Sequence, residues 1–278
     1  MVLNIRSLAV YLLLATGLFS CIDHRLGGPA SPARLRLRSV QSVEQNSNTN
    51  YTYTYSYDSQ NRPVSIDRVF NGKNSLAVIA YGDPQLNYVN NASGANYTFY
   101  IEYPDPADKT QGQATPYPLP LDGVSFTVRR YYLLRGKVFS DIYDRTYQYT
   151  FDADKRISGY LEIGSSSPID QNGYRYAYTG ENITSEQFST AAGHGVRGTA
   201  TYTYDAQPNP FFGLLDPAID QTTRFSRNNI TSVTYSTTSL PNVTYAYEYN
   251  AQGLPTKRTA TSPSGTTLGT IVYTYENY

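Results

Sequence analysis

The residues able to carry chemistry in this chain are few, and they narrow the choices before any element is placed. There are two histidines, His24 and His194, and one cysteine, Cys21. A zinc centre assembled from Cys and His is excluded by count, and a single cysteine permits no intrachain disulfide. His194, in Gly193-His194-Gly195, is the one imidazole outside the N-terminal stretch, a candidate axial ligand or general base. A serine triad has only that histidine to draw on and no G-x-S-x-G elbow. Asp141 with Asp144, and Asp152 with Asp154, have the spacing of paired carboxylates for glycoside hydrolysis, but turns select aspartates in the same way. The glycines form neither a phosphate-binding loop nor a dinucleotide fingerprint. What remains is tyrosine: 29 Tyr against 10 Phe and no Trp. A tyrosine has a large flat face and a polar tip, which suit sugars, planar ligands and protein surfaces.

Strands must position those rings. Tyr51, Tyr53, Tyr55 and Tyr57 alternate with Thr52, Thr54 and Ser56. In a strand, successive side chains point to opposite faces, so the four rings share one face. Tyr53, Tyr55 and Tyr57 are therefore candidate ligand-binding residues. The competing role is a cross-strand ladder, in which each pair contributes about 0.2–1 kcal/mol. Asp58-Ser59-Gln60-Asn61-Arg62 follows as a tight turn. Asp58 is placed to bond the backbone two residues on, and Asn61 to adopt the left-handed conformation of a three-residue hairpin loop. Phe151 to Arg156 and Tyr249 to Leu254 share this form. Gly253 stands where Asn61 does, and Lys155 departs from that chemistry. Such a loop sets Tyr57 opposite Pro63 and Tyr55 opposite Ser65, and turns Val64 and Ile66 to the threonine face. The tyrosine face is expected to be the packed one.

The chain has 278 residues, with 22 basic and 22 acidic side chains. A formal charge of zero argues against a nucleic-acid partner. Met1 to Cys21 reads as a targeting segment, with Arg6 in a basic n-region and Leu8 to Phe19 as an apolar run too short to span a membrane. It ends in Leu18-Phe19-Ser20-Cys21, similar to a bacterial lipobox, in which the cysteine takes the lipid. Residues 1–21 are thus expected to be a lipoprotein signal peptide, with Cys21 anchoring the protein to a membrane. The alternative is an ordinary signal peptide cut near the same place. Residues 22–33 hold Gly27, Gly28, Pro29 and Pro32 and read as a flexible tether. Residues 34–278 read as one all-β domain.

Along that domain the pattern predicts an antiparallel meander of repeated hairpins. It forms a large twisted sheet that is curled or partly closed. Arg34 to Arg38 is the first strand. Asn71-Gly72 marks a hairpin. Strands are expected near Leu86 to Val89 and over Tyr97 to Tyr103. Pro104 to Asp122, rich in proline, glycine and polar residues, reads as a long loop. Val124 to Leu134 pairs with Val138 to Phe151, and Tyr174, Tyr176 and Tyr178 alternate again. Pro208 to Pro217 cannot be a central strand, because proline lacks the donor. Its four large apolar residues should dock on the core as a turn or short helix.

Tyr55-Ser56-Tyr57-Asp58, Tyr202-Thr203-Tyr204-Asp205 and Tyr247-Glu248-Tyr249-Asn250 resemble the YD repeat of Rhs-type proteins. With the lipobox, Asn209-Pro210-Phe211, Asn228-Asn229-Ile230 and Gly253-Leu254-Pro255, the chain also resembles uncharacterised lipoproteins of Bacteroidetes-type bacteria. The repeats are irregularly spaced and too few for an Rhs shell, so no toxin cage is implied. The resemblance implies an outer-membrane lipoprotein, on either the periplasmic or the cell-surface side. The expected function is a non-enzymatic binding or structural module of the cell envelope, its partner a glycan, a protein or a planar apolar ligand. The alternatives are a carrier of a flat apolar ligand such as a porphyrin, as some related lipoproteins are described to be, and a polysaccharide-processing enzyme.

Overall fold

The computed structural model describes residues 34–44, 49–81, 97–109, 111–118, 126–134, 137–164, 171–190, 196–214 and 219–278. Cys21, the tether, His194 and the strand expected near Leu86 to Val89 lie outside them. Among the described residues the strands, in chain order, are β1 (Leu35–Glu44), β2 (Asn50–Tyr57), β3 (Pro63–Phe70), β4 (Lys73–Tyr81), β5 (Tyr97–Tyr103) and β6 (Gln111–Pro118). Then come β7 (Phe126–Leu134), β8 (Lys137–Phe151), β9 (Ile157–Gly164), β10 (Gln171–Thr179), β11 (Asn182–Thr190) and β12 (Val196–Pro208). A short helix, α1 (Gln221–Phe225), precedes β13 (Asn228–Tyr235), β14 (Val243–Tyr249), β15 (Pro255–Thr261) and β16 (Thr267–Asn277). The expected all-β meander is what forms: each strand pairs antiparallel with the next. The stretch expected as a loop from Pro104 to Asp122 instead contains β6, whose Gln113 and Ala114 pair with Glu102 and Ile101.

Arg36–Glu276 is one compact unit. Within it β16 returns beside β1 and the sheet closes into a barrel. Ser39 Oγ and Thr274 Oγ1 lie 2.7 Å apart across this seam, and Arg36 Nε donates to Glu276 Oε1 at 2.7 Å. A Cβ added to Gly269 would come within 2.9 Å of the Val43 carbonyl, so only glycine lets the backbones approach this closely there. A second, small unit takes in Leu35 and Asn277–Tyr278; in it the Tyr278 amide donates to the Arg34 carbonyl at 3.1 Å.

The turn chemistry read from the sequence is present. The Asn61 amide donates to the Asp58 carbonyl, and Asp58 Oδ1 accepts from the amides of Gln60 and Arg62. Asp152 and Asn250 repeat that pattern. Asn61, Lys155 and Gly253 all have positive φ, at 61°, 63° and 78°, so Lys155 adopts the left-handed conformation despite its side chain. The register beyond the turn differs from the expectation. Tyr57 does face Pro63, but Ser56 faces Ser65 and Tyr55 faces Ile66, with a shift between Ser56 and Tyr57. The bulge adds one residue to β3, which carries Ile66 to the tyrosine face rather than the threonine face.

That face is the packed one. Tyr55 and Ile66 are buried with Leu37, Val40, Ala77, Ile79, Tyr100, Ile271 and Tyr273. The opposite face of β11–β16 and β1–β3 meets water: Ser56, Thr201, Thr203, Thr234, Thr244 and Thr274 are exposed on it. Its exposed valines, Val43, Val69 and Val272, are scattered among these hydroxyls. On these strands the pattern is the reverse of the continuous apolar band that a membrane-spanning barrel carries outside. On β4–β6 both faces are apolar, because Leu76, Ile101 and Ala114 are buried opposite Ile79 and Tyr100.

Candidate functional site

Even-numbered strands finish at one end of the barrel, and there a tyrosine device recurs. Near the start of an odd strand, a carbonyl accepts the hydroxyl of a tyrosine on the following strand. Tyr57 donates to Leu37, Tyr81 to Pro63, Tyr178 to Ile157, Tyr247 to Ile230 and Tyr275 to Pro255, at 2.6–2.9 Å. Tyr204 does the same to Ile183. Three of these rings also carry an arginine over the face: Arg36 over Tyr57 at 4.2 Å, Arg62 over Tyr81 at 4.4 Å and Arg156 over Tyr178 at 4.4 Å. Burial pushes the Tyr57 and Tyr81 hydroxyls up to about 12, so both stay protonated donors.

At the same end the connection from β12 to β13 folds into the lumen as a plug. Asn209 holds it: Nδ2 donates to the carbonyls of Thr223 and Ser226 at 2.6 and 2.8 Å, and Oδ1 accepts from the Phe211 amide. Gly213, at φ 75°, turns the chain so that its amide reaches the Arg224 carbonyl. Asp220 caps α1 by accepting from the Thr223 amide and hydroxyl, both at 2.7 Å. Phe211, Leu214 and Ile219 join the core of Leu37, Tyr55 and Ile271, as the apolar content of this proline-rich stretch suggested.

Beyond the plug the lumen holds a cavity of about 570 Å³. Its walls include Tyr147, Tyr149, Tyr160, Tyr174, Tyr176 and Tyr202, and its plug side Ile219, Asp220 and Thr222 to Arg224. Tyr160 stacks on Tyr174 with ring centres 4.7 Å apart and planes 3° from parallel, and on Tyr149 at 5.8 Å. Burial raises the Tyr160, Tyr176 and Tyr202 hydroxyls well above the usual phenol range, so the wall stays neutral. Its carboxylates are Glu102, Glu162, Glu186 and Asp220. Glu186 accepts from Tyr202 and from Thr222, each at 2.8 Å. Burial nonetheless raises its carboxyl above the usual range, against those two hydrogen bonds. Glu102 pairs with Arg68 at 3.1 Å. Arg258 also lines the cavity, 4.7 Å over the Tyr245 ring.

Of the residues singled out from the sequence, Tyr53, Tyr55 and Tyr57 fall elsewhere. Tyr55 is buried in the core, Tyr57 caps Leu37, and Tyr53 stacks on Tyr51 at 4.7 Å beneath Arg68. None of the three lines the cavity. Asp152 and Asp154 both bind Arg156, a turn arrangement. Glu186, Arg224 and Arg258 were missed. A signal existed for two of them: Glu186 and Arg258 occupy the inward phase of their strands, opposite Ala200 and Tyr247, where a charge is unexpected.

No protein-family model matches the chain, and no curated protein sequence matches it significantly. Among solved structures, the barrel is similar to a porin-like protein from Bacteroides uniformis, with a TM-score of 0.55 and 15% sequence identity. The likeness covers 89% of this chain and 99% of that one. At this identity it speaks for the barrel architecture.

Proposed function

We propose that this chain is a lipid-anchored, non-enzymatic binding module of the cell envelope, whose plugged barrel holds a small, flat-faced ligand. The observation that carries the reading is the tyrosine-walled cavity behind the plug. It is a pocket of ligand size, rich in aromatic faces and with a few polar groups, the usual make-up of a small-molecule site. The hydroxyl-rich outer face of β11–β16 and β1–β3 supports strands that stand in water there, with Cys21 as the point of membrane attachment. The porin-like neighbour favours an envelope location, and the lipobox an outer-membrane lipoprotein. Carboxylates tied to Arg68, to Tyr202 and Thr222 and to α1 favour binding over hydrolysis.

The ligand reading is tested by titrating planar ring compounds, a metal-free porphyrin among them, against tyrosine emission and the ligand's own spectrum. Val233 is buried and lines the cavity. Val233→Trp, which sets an indole into part of the space, should weaken binding at least about tenfold, about 1.4 kcal/mol, while the fold is retained by circular dichroism. Binding left unchanged by that indole places the site elsewhere. For the anchor, Cys21→Ser should move the protein from the membrane fraction to a soluble one; unchanged fractionation removes the lipoprotein reading.

A further inference from the structure

We infer that the cavity's ligand bears a single carboxylate on a ring, with the Arg224 guanidinium as its anchor; this rests on the cavity reading above. Arg224 is only 4% exposed and lines the cavity from the plug side. Its Nε has no hydrogen-bond partner, and no carboxylate pairs with it among the described residues. Among the described residues its charge meets the ring face of Phe225, at 5.4 Å. Other arginines of the barrel are differently placed: Arg36 pairs with Glu276, Arg62 with Asp58, Arg68 with Glu102, Arg156 with Asp152 and Arg227 with Glu181. A buried cation without a counter-charge is costly in the empty protein. An incoming anion relieves that cost.

The cavity's own acids do not fill the role. Of the four acids that line it, Glu102 is held by Arg68, Glu186 by Tyr202 and Thr222 and Asp220 by the start of α1, while Glu162 stands on the tyrosine wall beside Tyr160 and Tyr174. Arg258 supplies a second cation on the tyrosine wall, while its neighbour Lys257 pairs with Glu248. A guanidinium fork matches the two oxygens of a carboxylate. The rings of Tyr160 and Tyr174 offer flat faces for the rest of the ligand. A volume of 570 Å³ equals about 20 waters at roughly 30 Å³ each, room for two or three rings. The same acids that leave Arg224 unpaired disfavour a polyanion, hence the single carboxylate.

Two sources share this chemistry, an aromatic acid and an acidic sugar. The full chain is titrated by calorimetry with 2-naphthoate and 2-naphthamide, and with digalacturonate monomethyl ester and its dimethyl ester. One acid should bind at least about tenfold tighter than its neutral partner, a factor worth about 1.4 kcal/mol. Which pair responds names the source. Arg224→Met should erase the preference while leaving the ligand-free melting temperature unchanged or higher, since it removes an unpaired buried charge. If each neutral compound binds as well as its acid, the cavity reading stands and the anchor is wrong. If none of the four binds at millimolar concentration, both fall. A melting temperature lowered by Arg224→Met would show that Arg224 has an internal partner and overturn the inference.

Discussion

Arg36 and Glu276, 240 residues apart in the chain, make the contact that Arg62 makes with Asp58 four residues away. In both, Nε donates to a carboxylate oxygen, at 2.7 and 2.8 Å. In both, the arginine covers the ring of a tyrosine whose hydroxyl caps the carbonyl just after that arginine: Tyr57 on Leu37, Tyr81 on Pro63. The seam of the barrel therefore reproduces a hairpin end without the turn. Tyr275-Glu276 stands for Tyr57-Asp58, and Arg36-Leu37 for Arg62-Pro63.

Glu276→Lys sets a third cation against Arg36 and Arg38, both of which bind Glu276. The urea midpoint should fall, and amides of β1 and β16 should exchange before those of β10 and β11. Uniform exchange across all four strands would show that the seam does not hold the barrel closed.

Tyr178→Phe leaves the Ile157 carbonyl without its hydroxyl donor. The expected loss is about 1–2 kcal/mol, the range for a hydrogen bond whose partner stays behind unsatisfied. Denaturant unfolding measures it, and a loss within about 0.3 kcal/mol would make the recurring caps incidental rather than stabilising.

Phe211 packs against Tyr273 with ring centres 5.8 Å apart and is 4% exposed. Phe211→Ala should cost about 3–5 kcal/mol, as for other buried aromatics. Tyr55→Ala, in the same cluster, should cost about 3 kcal/mol. If Phe211→Ala is near neutral while Tyr55→Ala is not, the plug is not part of the cooperative core.

Glu186 gives stability a pH dependence of definite sign. Its carboxyl is raised in the folded protein by burial, so the folded state binds its proton more tightly than the unfolded chain does. Stability should fall as pH rises from the ordinary carboxylate range through the raised value, then level off. Asp58, Asp152 and Glu276 act oppositely and lower down: each is held below the usual range, so their contribution is lost as pH falls through their folded values. Glu186→Gln should flatten the upper window only. Persistence of that slope in the variant would assign it to another group. Tyr202, Thr222, Asp220, Tyr174 and Tyr176 surround the site.

Alternation at Tyr51 to Tyr57 and the Asp58 turn made the hairpin unit legible, down to the positive φ at Asn61 and Gly253. The bulge after Ser56 was not legible, because nothing in Pro63-Val64-Ser65 marks which residue is extra. β6 was hidden by its own composition: Pro116 and Pro118 argue against a strand, yet both pair with β5. Barrel closure brings Arg36 to Glu276 through a coincidence of twist and strand number that no local pattern contains. The cavity was out of reach for a similar reason. Most tyrosine rows look alike in sequence, and the plug decides which of them are covered, as Tyr55 is, and which remain open, as Tyr160 and Tyr174 do.

The seam also bears on how the chain reaches this state. Hairpins such as β2–β3 form between neighbours and can appear early, on the microsecond scale of isolated hairpins. The pairing of β1 with β16 must wait until the pairings between successive strands have brought distant ends together. Closing so long a loop raises the entropic barrier only logarithmically, but contacts at such separation slow folding strongly. Until that step each intermediate presents two bare edges, β1 on one side and its latest strand on the other, where another copy could add a strand. A chain that builds its barrel in this order gains protection from self-association at its final pairing.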